Sequence, residues 1–489
     1  MTTSLTISRT KFRRISLVCL KYFFVAFVVI NFFKLIIWNS YHSLIMNDGD
    51  SILFLSYAQN LTTCSNSTSR LLMIDANFDD CRSLVNSQDY TFYSDHPSGF
   101  IIILSILYRL GFESLYSMRW ISVLVSSMIV FLLYIFSSKN VNHRFGLLVA
   151  VGFMVTPLFV FHSVVIHIFT WAQLLSVMVA IVFVKEIFRP NKTSKLCFVL
   201  LLLIGFTIDW PVFVLAIVLC LASFYLKRFD LAAILIFCSI PSYLLIRFWI
   251  SLGSTSNQVG IIEELVSSIG RGEELANLMA IPFYFFKAHF IGVLGLISFI
   301  YFAFKLRSNF RENPIIILGT ILLLQGVLNV VLFLPWASSH IYWTYFLIPT
   351  SAFGFAMAFQ KISGMRRWFS GILVSTILLT SVYSYVWWAK DYVKPPISFD
   401  DYFDQKGLKS DWLSNSSKIY TLNRDVYIGQ SAKIRLQLDK SFNLISGVEL
   451  PSSGYLVVKS GTKVGDSLKK PIELDWFEWD VYILGREQI

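Results

Sequence analysis

Charge is what this sequence has least of. Asp, Glu, Lys and Arg make up 15% of its 489 residues, and hydrophobic residues 55%. Soluble globular domains are about a quarter charged, so the composition excludes a soluble protein and predicts one embedded in a bilayer. Internal repeats and low-complexity tracts are lacking as well. A small-residue cleavage site is missing after the first apolar run, about 17–38, although Lys11, Arg13 and Arg14 precede it. That run is expected to stay as an anchor and not to leave as a signal peptide. Cysteine is scarce, with six in the chain. Cys19, Cys197, Cys220 and Cys238 sit in or beside apolar runs and read as packing. Cys64 and Cys81 share one polar loop, where a disulfide is open to them if the loop is extracytoplasmic. Sequons at Asn60, Asn66, Asn191 and Asn415 are near chance frequency and carry nothing.

What is there is a series of apolar runs about 20 residues long, the length of membrane helices and not of barrel strands. Eleven spans are expected, at about 17–38, 116–137, 145–163, 167–185, 196–209, 210–226, 230–252, 280–304, 313–335, 341–360 and 369–389. The net charge of +11 is not spread evenly. From Lys390 onward 14 basic residues balance 14 acidic ones, leaving 27 against 16 in the membrane part. Every second connection is basic: Lys139/His143/Arg144, Lys185/Arg189/Lys192/Lys195, Lys227/Arg228, Lys305/Arg307/Arg311 and Lys361/Arg366/Arg367. This is the positive-inside pattern, so the excess charge gives no reason to expect nucleic acid. It predicts a cytoplasmic N-terminus and an extracytoplasmic tail.

The first outer loop then runs from 39 to 115. Within it, Ser51–Leu61 and 100–110 read as helices lying along the interface. A second long outer loop covers about 253–279. After the stiff exit Lys394-Pro395-Pro396, the runs Lys418–Leu422, Lys433–Leu438 and Tyr455–Lys459 alternate like strands. The expected architecture is an all-α polytopic membrane domain over 1–389 with a small α/β extracytoplasmic domain over 390–489.

The first loop carries the chemistry. Asn47-Asp48-Gly49-Asp50 and Ser94-Asp95-His96-Pro97 put three carboxylates and a histidine in one polar stretch. One carboxylate can take a proton from an attacking hydroxyl, while another holds a divalent cation against a leaving phosphate. The plainer alternative is a solvated loop in which Asp48 or Asp50 caps the helix at 51–61. Asp95 and His96 are candidates for binding the donor phosphate or, with Asp48, a metal such as Mg²⁺ or Mn²⁺, and no organic cofactor is expected.

These residues resemble the GT-C fold, and within it the superfamily of dolichyl-phosphate-mannose–protein mannosyltransferases and aminoarabinose transferases. The matching pieces are Asp50-Ser51 with Tyr57-Ala58-Gln59-Asn60-Leu61, then Asp95-His96-Pro97, then Leu107-Tyr108-Arg109-Leu110-Gly111-Phe112, then Arg119. Ser51 stands where the family often has Glu, and Ser98 replaces a second proline, so Asp48 is open as the missing carboxylate. The resemblance implies an inverting transferase of sugar from a polyprenyl-phosphate donor, with Asp50 in the catalytic acidic position and His96 and Arg119 in the motif positions that follow. The acceptor would be a hydroxyl of protein, lipid or glycan. The membrane would be the plasma or inner membrane, or the endoplasmic reticulum in a eukaryote.

Topology adds further candidates. His42, His96, His162, His167, His289 and His340 all fall at predicted outer ends or loops, as does Asp209. Arg247 and Lys287 lie at outer ends of spans and, with Arg119, are candidates for gripping the donor phosphate, with His340 beside them. The plainer readings are that Lys287 snorkels, that His162 and His167 are hydrogen-bonded structural residues, and that Asp209 caps the helix begun by Trp210 and Pro211. A transporter or flippase is the rival function, as is a non-catalytic scaffold of the same fold. The absence of repeats and the clustering of ionisable residues at one face favour an enzyme.

Overall fold

A computed structural model describes residues 54–55, 57–58, 61–62, 74–75, 91–92, 96–112, 115–253, 281–289, 291–306, 311–333, 341–362, 375, 419–421, 442–444, 454–459, 464, 472–474 and 479–484. The expected spans at 17–38 and 369–389, the loop beyond 253, Cys64, Cys81 and the run Lys433–Leu438 lie outside these residues. The chain divides into two compact units, Met1–Leu35 with Arg119–Asp391, and Ile36–Met118 with Tyr392–Ile489.

Helices dominate the first unit. In chain order they are α2 (Leu115–Asn140, which begins in the other unit), α3 (His143–Met154), α4 (Pro157–His162), α5 (Ile168–Phe188), α6 (Lys192–Ile208), α7 (Trp210–Tyr225), α8 (Phe229–Gly253), α9 (Ile281–His289), α10 (Ile291–Lys305) and α11 (Pro314–Leu332). A 3-10 segment, η1 (Ile341–Leu347), runs directly into α12 (Ile348–Ile362). Among the described residues, four of these helices are long and apolar enough to cross a membrane: those at Ser117–Asn140, Ile168–Phe188, Phe229–Trp249 and Pro314–Leu332.

Side chains set the helix starts. Asn142 accepts from the Phe145 amide at 2.8 Å, and Asn191 from the Thr193 amide at 3.1 Å. Asn313 accepts from Ile315 and Ile316 at 3.0 and 3.2 Å, with Pro314 next, where its missing N–H costs nothing. Three expected spans are each divided in two. Pro157 cannot donate to the turn before it, so the span at 145–163 becomes α3 and α4. The span at 280–304 becomes α9 and α10, and the span at 341–360 begins as η1 with Pro349 in the first turn of α12. Periodicity alone does not register breaks inside a continuously apolar run.

Helices α10 and α12 approach to backbone contact. A Cβ on Gly295 would collide with the Ser351 carbonyl, and one on Gly354 with the Gly295 carbonyl. In lipid the gain from such closeness is dispersion and not hydrophobic burial, which is why small residues line the contact. At the edge of the unit, α8 packs mainly on α6 and α7. Only 17% of its apolar stretch is buried inside protein, against 72% for α5, so its outward face is left for lipid.

In the second unit, α1 (Gly99–Arg109) follows Pro97 and buries Phe100, Ile101 and Leu104, with Phe100 edge-on to Phe54 at 5.1 Å. Within the stretch expected as helical at 51–61, the described positions Phe54, Leu55, Tyr57 and Ala58 are helical and buried. Strands β1 (Ile74–Asp75) and β2 (Thr91–Phe92) pair antiparallel. The described tail is a mixed sheet of β3 (Ile419–Thr421), β4 (Phe442–Leu444), β5 (Gly454–Lys459), β6 (Ile472–Leu474) and β7 (Trp479–Leu484), in the order β4-β3-β5-β7-β6. Strand β3 is parallel to both neighbours, and β5, β7 and β6 run antiparallel. Leu456 and Val458 on alternate positions of β5 form its core with Tyr420, Val464 and Tyr482.

Candidate functional site

The ends of the first unit differ in chemistry. At one, the basic junctions are tied together: Lys195 Nζ lies 2.6 Å from Asp230, and Arg228 donates to Asp230 at 3.0 Å and to the Glu186 carbonyl at 2.7 Å. Arg311 lies over the Tyr225 ring at 5.0 Å. These contacts are largely exposed, and each is worth about 1 kcal/mol or less.

The opposite end holds buried polar groups. His162 closes α4, His167 caps α5 by accepting from the Phe169 amide at 3.2 Å, and their rings meet edge-on at 5.3 Å. Tyr345 of η1 stands 5.5 Å from the His162 ring and is fully buried. His289, the last residue of α9, stacks on Phe285 and shares a 2.6 Å hydrogen bond between Nε2 and Thr344 Oγ1. Three imidazoles, a phenol and a hydroxyl thus converge from α4, α5, α9 and η1. Such groups can pass or hold protons and can donate to an anion. Thr344→Val leaves the His289 Nε2 without this partner and is expected to cost about 1–3 kcal/mol. Adding His289→Leu should recover part of that loss, because both ends of the bond are then apolar. A thermal-melt cycle of the two variants reads the coupling directly.

The residues expected from sequence are distributed unevenly. Asp48, Asp50, Asp95 and His340 lie outside the described residues, as does the side chain of Lys287, whose backbone lies in α9. His96 is half-buried at the bend that leads through Pro97 into α1. Arg119 is 2% exposed, among the largest fully enclosed side chains, so its guanidinium faces protein and does not snorkel. Arg247 is half-buried on α8, whose main partners are α6 and α7. Asp209 is fully buried and accepts from the Trp210 amide at 2.8 Å. It therefore acts as the cap of α7. His167 is buried and hydrogen-bonded as the structural reading of it requires, and His162 is buried with its ring packed on His167 and Tyr345.

Sequence reasoning passed over the amides. Gln173, Gln325 and Asn329 are all fully buried, and Gln325 Nε2 donates to Ser176 Oγ at 2.8 Å and to the Pro211 carbonyl at 3.0 Å. The available signal was polar residues inside otherwise apolar spans, which were searched only for ionisable groups. Of the three candidate metal ligands only His96 is described, and among the described residues no group of three or more His, Cys, Asp or Glu is placed to hold a metal.

No protein-family model and no curated protein matches the chain. Solved structures do. ArnT from Cupriavidus metallidurans in the apo state superposes with a TM-score of 0.51 at 9% identity, covering 88% of this chain and 93% of that one. ArnT from the same organism bound to undecaprenyl phosphate gives 0.52 at 10% identity, covering 90% and 97%. At this identity the likeness speaks for architecture, and it spans nearly the full length of both chains. The chain is a polytopic helical membrane protein with the GT-C fold that these ArnT structures share.

Proposed function

We propose that this chain is a membrane glycosyltransferase that moves a sugar from a polyprenyl-phosphate donor to an acceptor hydroxyl, with inversion, at the extracytoplasmic face. The observation that carries the reading is the near full-length likeness to ArnT bound to undecaprenyl phosphate. Arg119, a cation enclosed at the start of α2, supports it. In the proposed reaction Asp50, or Asp48 in its place, takes the acceptor proton while the acceptor oxygen attacks the anomeric carbon. The bond from that carbon to the phosphate oxygen breaks, and polyprenyl phosphate leaves. Arg119 would hold that phosphate through paired N–H donors, with Lys287 and Arg247 as further candidates. A divalent cation held by Asp48, Asp95 and His96 remains a proposal, and no step is assigned to it. The membrane would be the plasma or inner membrane, with the N-terminus cytoplasmic.

A transporter is favoured less, because its ionisable groups belong at mid-membrane in broken helices, whereas the buried histidines here gather at one end of the bundle. The test is transfer by purified protein from a panel of polyprenyl-phosphate sugars, with and without Mg²⁺ or Mn²⁺. Consumption of one donor that depends on added acceptor establishes the reaction. Failure of folded protein to consume any donor sinks it and makes lipid flipping the next assay. Arg119→Lys keeps the charge but loses the paired donors, and is expected to raise the donor KM about tenfold with kcat little changed.

A further inference from the structure

Helices α5 and α11 pack together, and helical spacing sets their residues in three layers. The inner layer is closed: Gln325 of α11 is hydrogen-bonded to Ser176 of α5 and to the Pro211 carbonyl. The outer layer is aromatic. Trp343 of η1 stacks on Phe333 at 4.4 Å and 21°, and meets Phe169 edge-on at 4.8 Å. Between them lie Gln173, four residues from Phe169, and Asn329, four residues from Phe333. Both carboxamides are 0% exposed, and none of their four polar atoms has a hydrogen-bond partner among the described residues. The Oε1 of Gln325 has none either.

Two buried amides without partners are costly in any protein, and more so where lipid surrounds the helices and offers no water. Apolar residues of the same shape would fill the space without that penalty. Each amide offers both donors and an acceptor, the set that pairs with a hydroxyl, which also donates and accepts. Phe169, one helical turn from Gln173, and Trp343 beside it are aromatic side chains of the kind that pack on the apolar side of a sugar ring. Resting on the transferase reading above, we propose that the Gln173–Asn329 layer is a hydroxyl-recognition site: it is hydrated when empty, and it takes hydroxyls of the transferred sugar when the donor binds beneath Trp343. Water and carbohydrate share this chemistry, and the test separates them.

The experiment compares thermal stabilisation of full-length protein by polyprenyl-phosphate sugar and by bare polyprenyl phosphate. It uses wild type and the variant pair Gln173→Met with Asn329→Leu, with Asn329→Leu alone and Ser176→Ala as companions in case the pair folds poorly. Ligand that binds only folded protein raises the melting temperature in proportion to its affinity. The expected result is extra stabilisation of wild type by the sugar, lost in both amide variants through an affinity drop of about tenfold or more, and kept in Ser176→Ala. An amide variant that keeps the extra stabilisation overturns the carbohydrate site and, if it also melts lower than wild type, leaves a hydration site only. Wild type that responds equally to the bare lipid overturns this inference while leaving the lipid donor in place. A wild type that responds to neither lipid sinks the transferase reading along with it.

Discussion

Asp50→Asn is expected to lower transfer from the polyprenyl-phosphate donor at least about 10²-fold in kcat, in protein that inserts and melts as wild type does. A general base supplies roughly 10²–10⁴ to a rate, and asparagine keeps the size of the carboxylate and one acceptor oxygen while losing its ability to take a proton. The donor KM should hardly move, because the base acts on the acceptor. Arg119→Lys should show the opposite split, and the two variants together separate proton removal from phosphate binding. If Asp48 fills the role in place of Asp50, Asp48→Asn carries the kcat loss and Asp50→Asn is mild. Full transfer in both variants would end the acidic-loop mechanism. Asparagine at a cap still accepts a hydrogen bond, so a carboxylate that only capped the helix at 51–61 would give near-normal transfer in either variant.

Much of this architecture was legible in the sequence because bilayers impose simple rules. Run length and the alternation of basic loops locate most helices to within a few residues: the span expected at 167–185 is α5 at Ile168–Phe188, and that at 313–335 is α11 at Pro314–Leu332. The polar cap Asp209 marks the start of its helix by local chemistry that needs no tertiary context. The interior was much less legible. Nothing in a continuously apolar run tells that residues 341–347 wind as a 3-10 segment, because its shape is set by what Trp343, Thr344 and Tyr345 pack against. The site divides the same way. Arg119 was named from a motif and is indeed enclosed. Arg247 was named from its depth alone, and depth does not say which side of a helix faces protein. The amides of Gln173 and Asn329 carry no charge to attract notice, and their burial depends on the packing of two helices whose amides lie 156 positions apart in the chain.

The other large effect should come from a single methyl group. Gly354→Ala is expected to destabilise the folded protein by about 3 kcal/mol, the upper part of the range for an overpacked core. The new Cβ would collide with the Gly295 carbonyl and stand 2.6 Å from the Phe299 amide nitrogen, and neither can rotate away because both are backbone. Gly152→Ala makes a useful contrast. Its Cβ would meet the Phe355 ring at 2.7 Å, a side chain and not backbone, so the loss should be smaller. The consequence of Gly354→Ala would not stay local. Helix α12 continues from η1, which carries Thr344, and α10 follows α9, which ends at His289. Forcing α10 and α12 apart therefore pulls on the hydrogen bond between His289 and Thr344. Melting in detergent should fall by several degrees, and transfer should fall with it even below the melting range. A Gly354→Ala protein that melts within about 1 °C of wild type would mean that the two helices do not meet at their backbones. A protein that melts lower but transfers normally would mean that the geometry of His289 and Thr344 is not needed for the reaction.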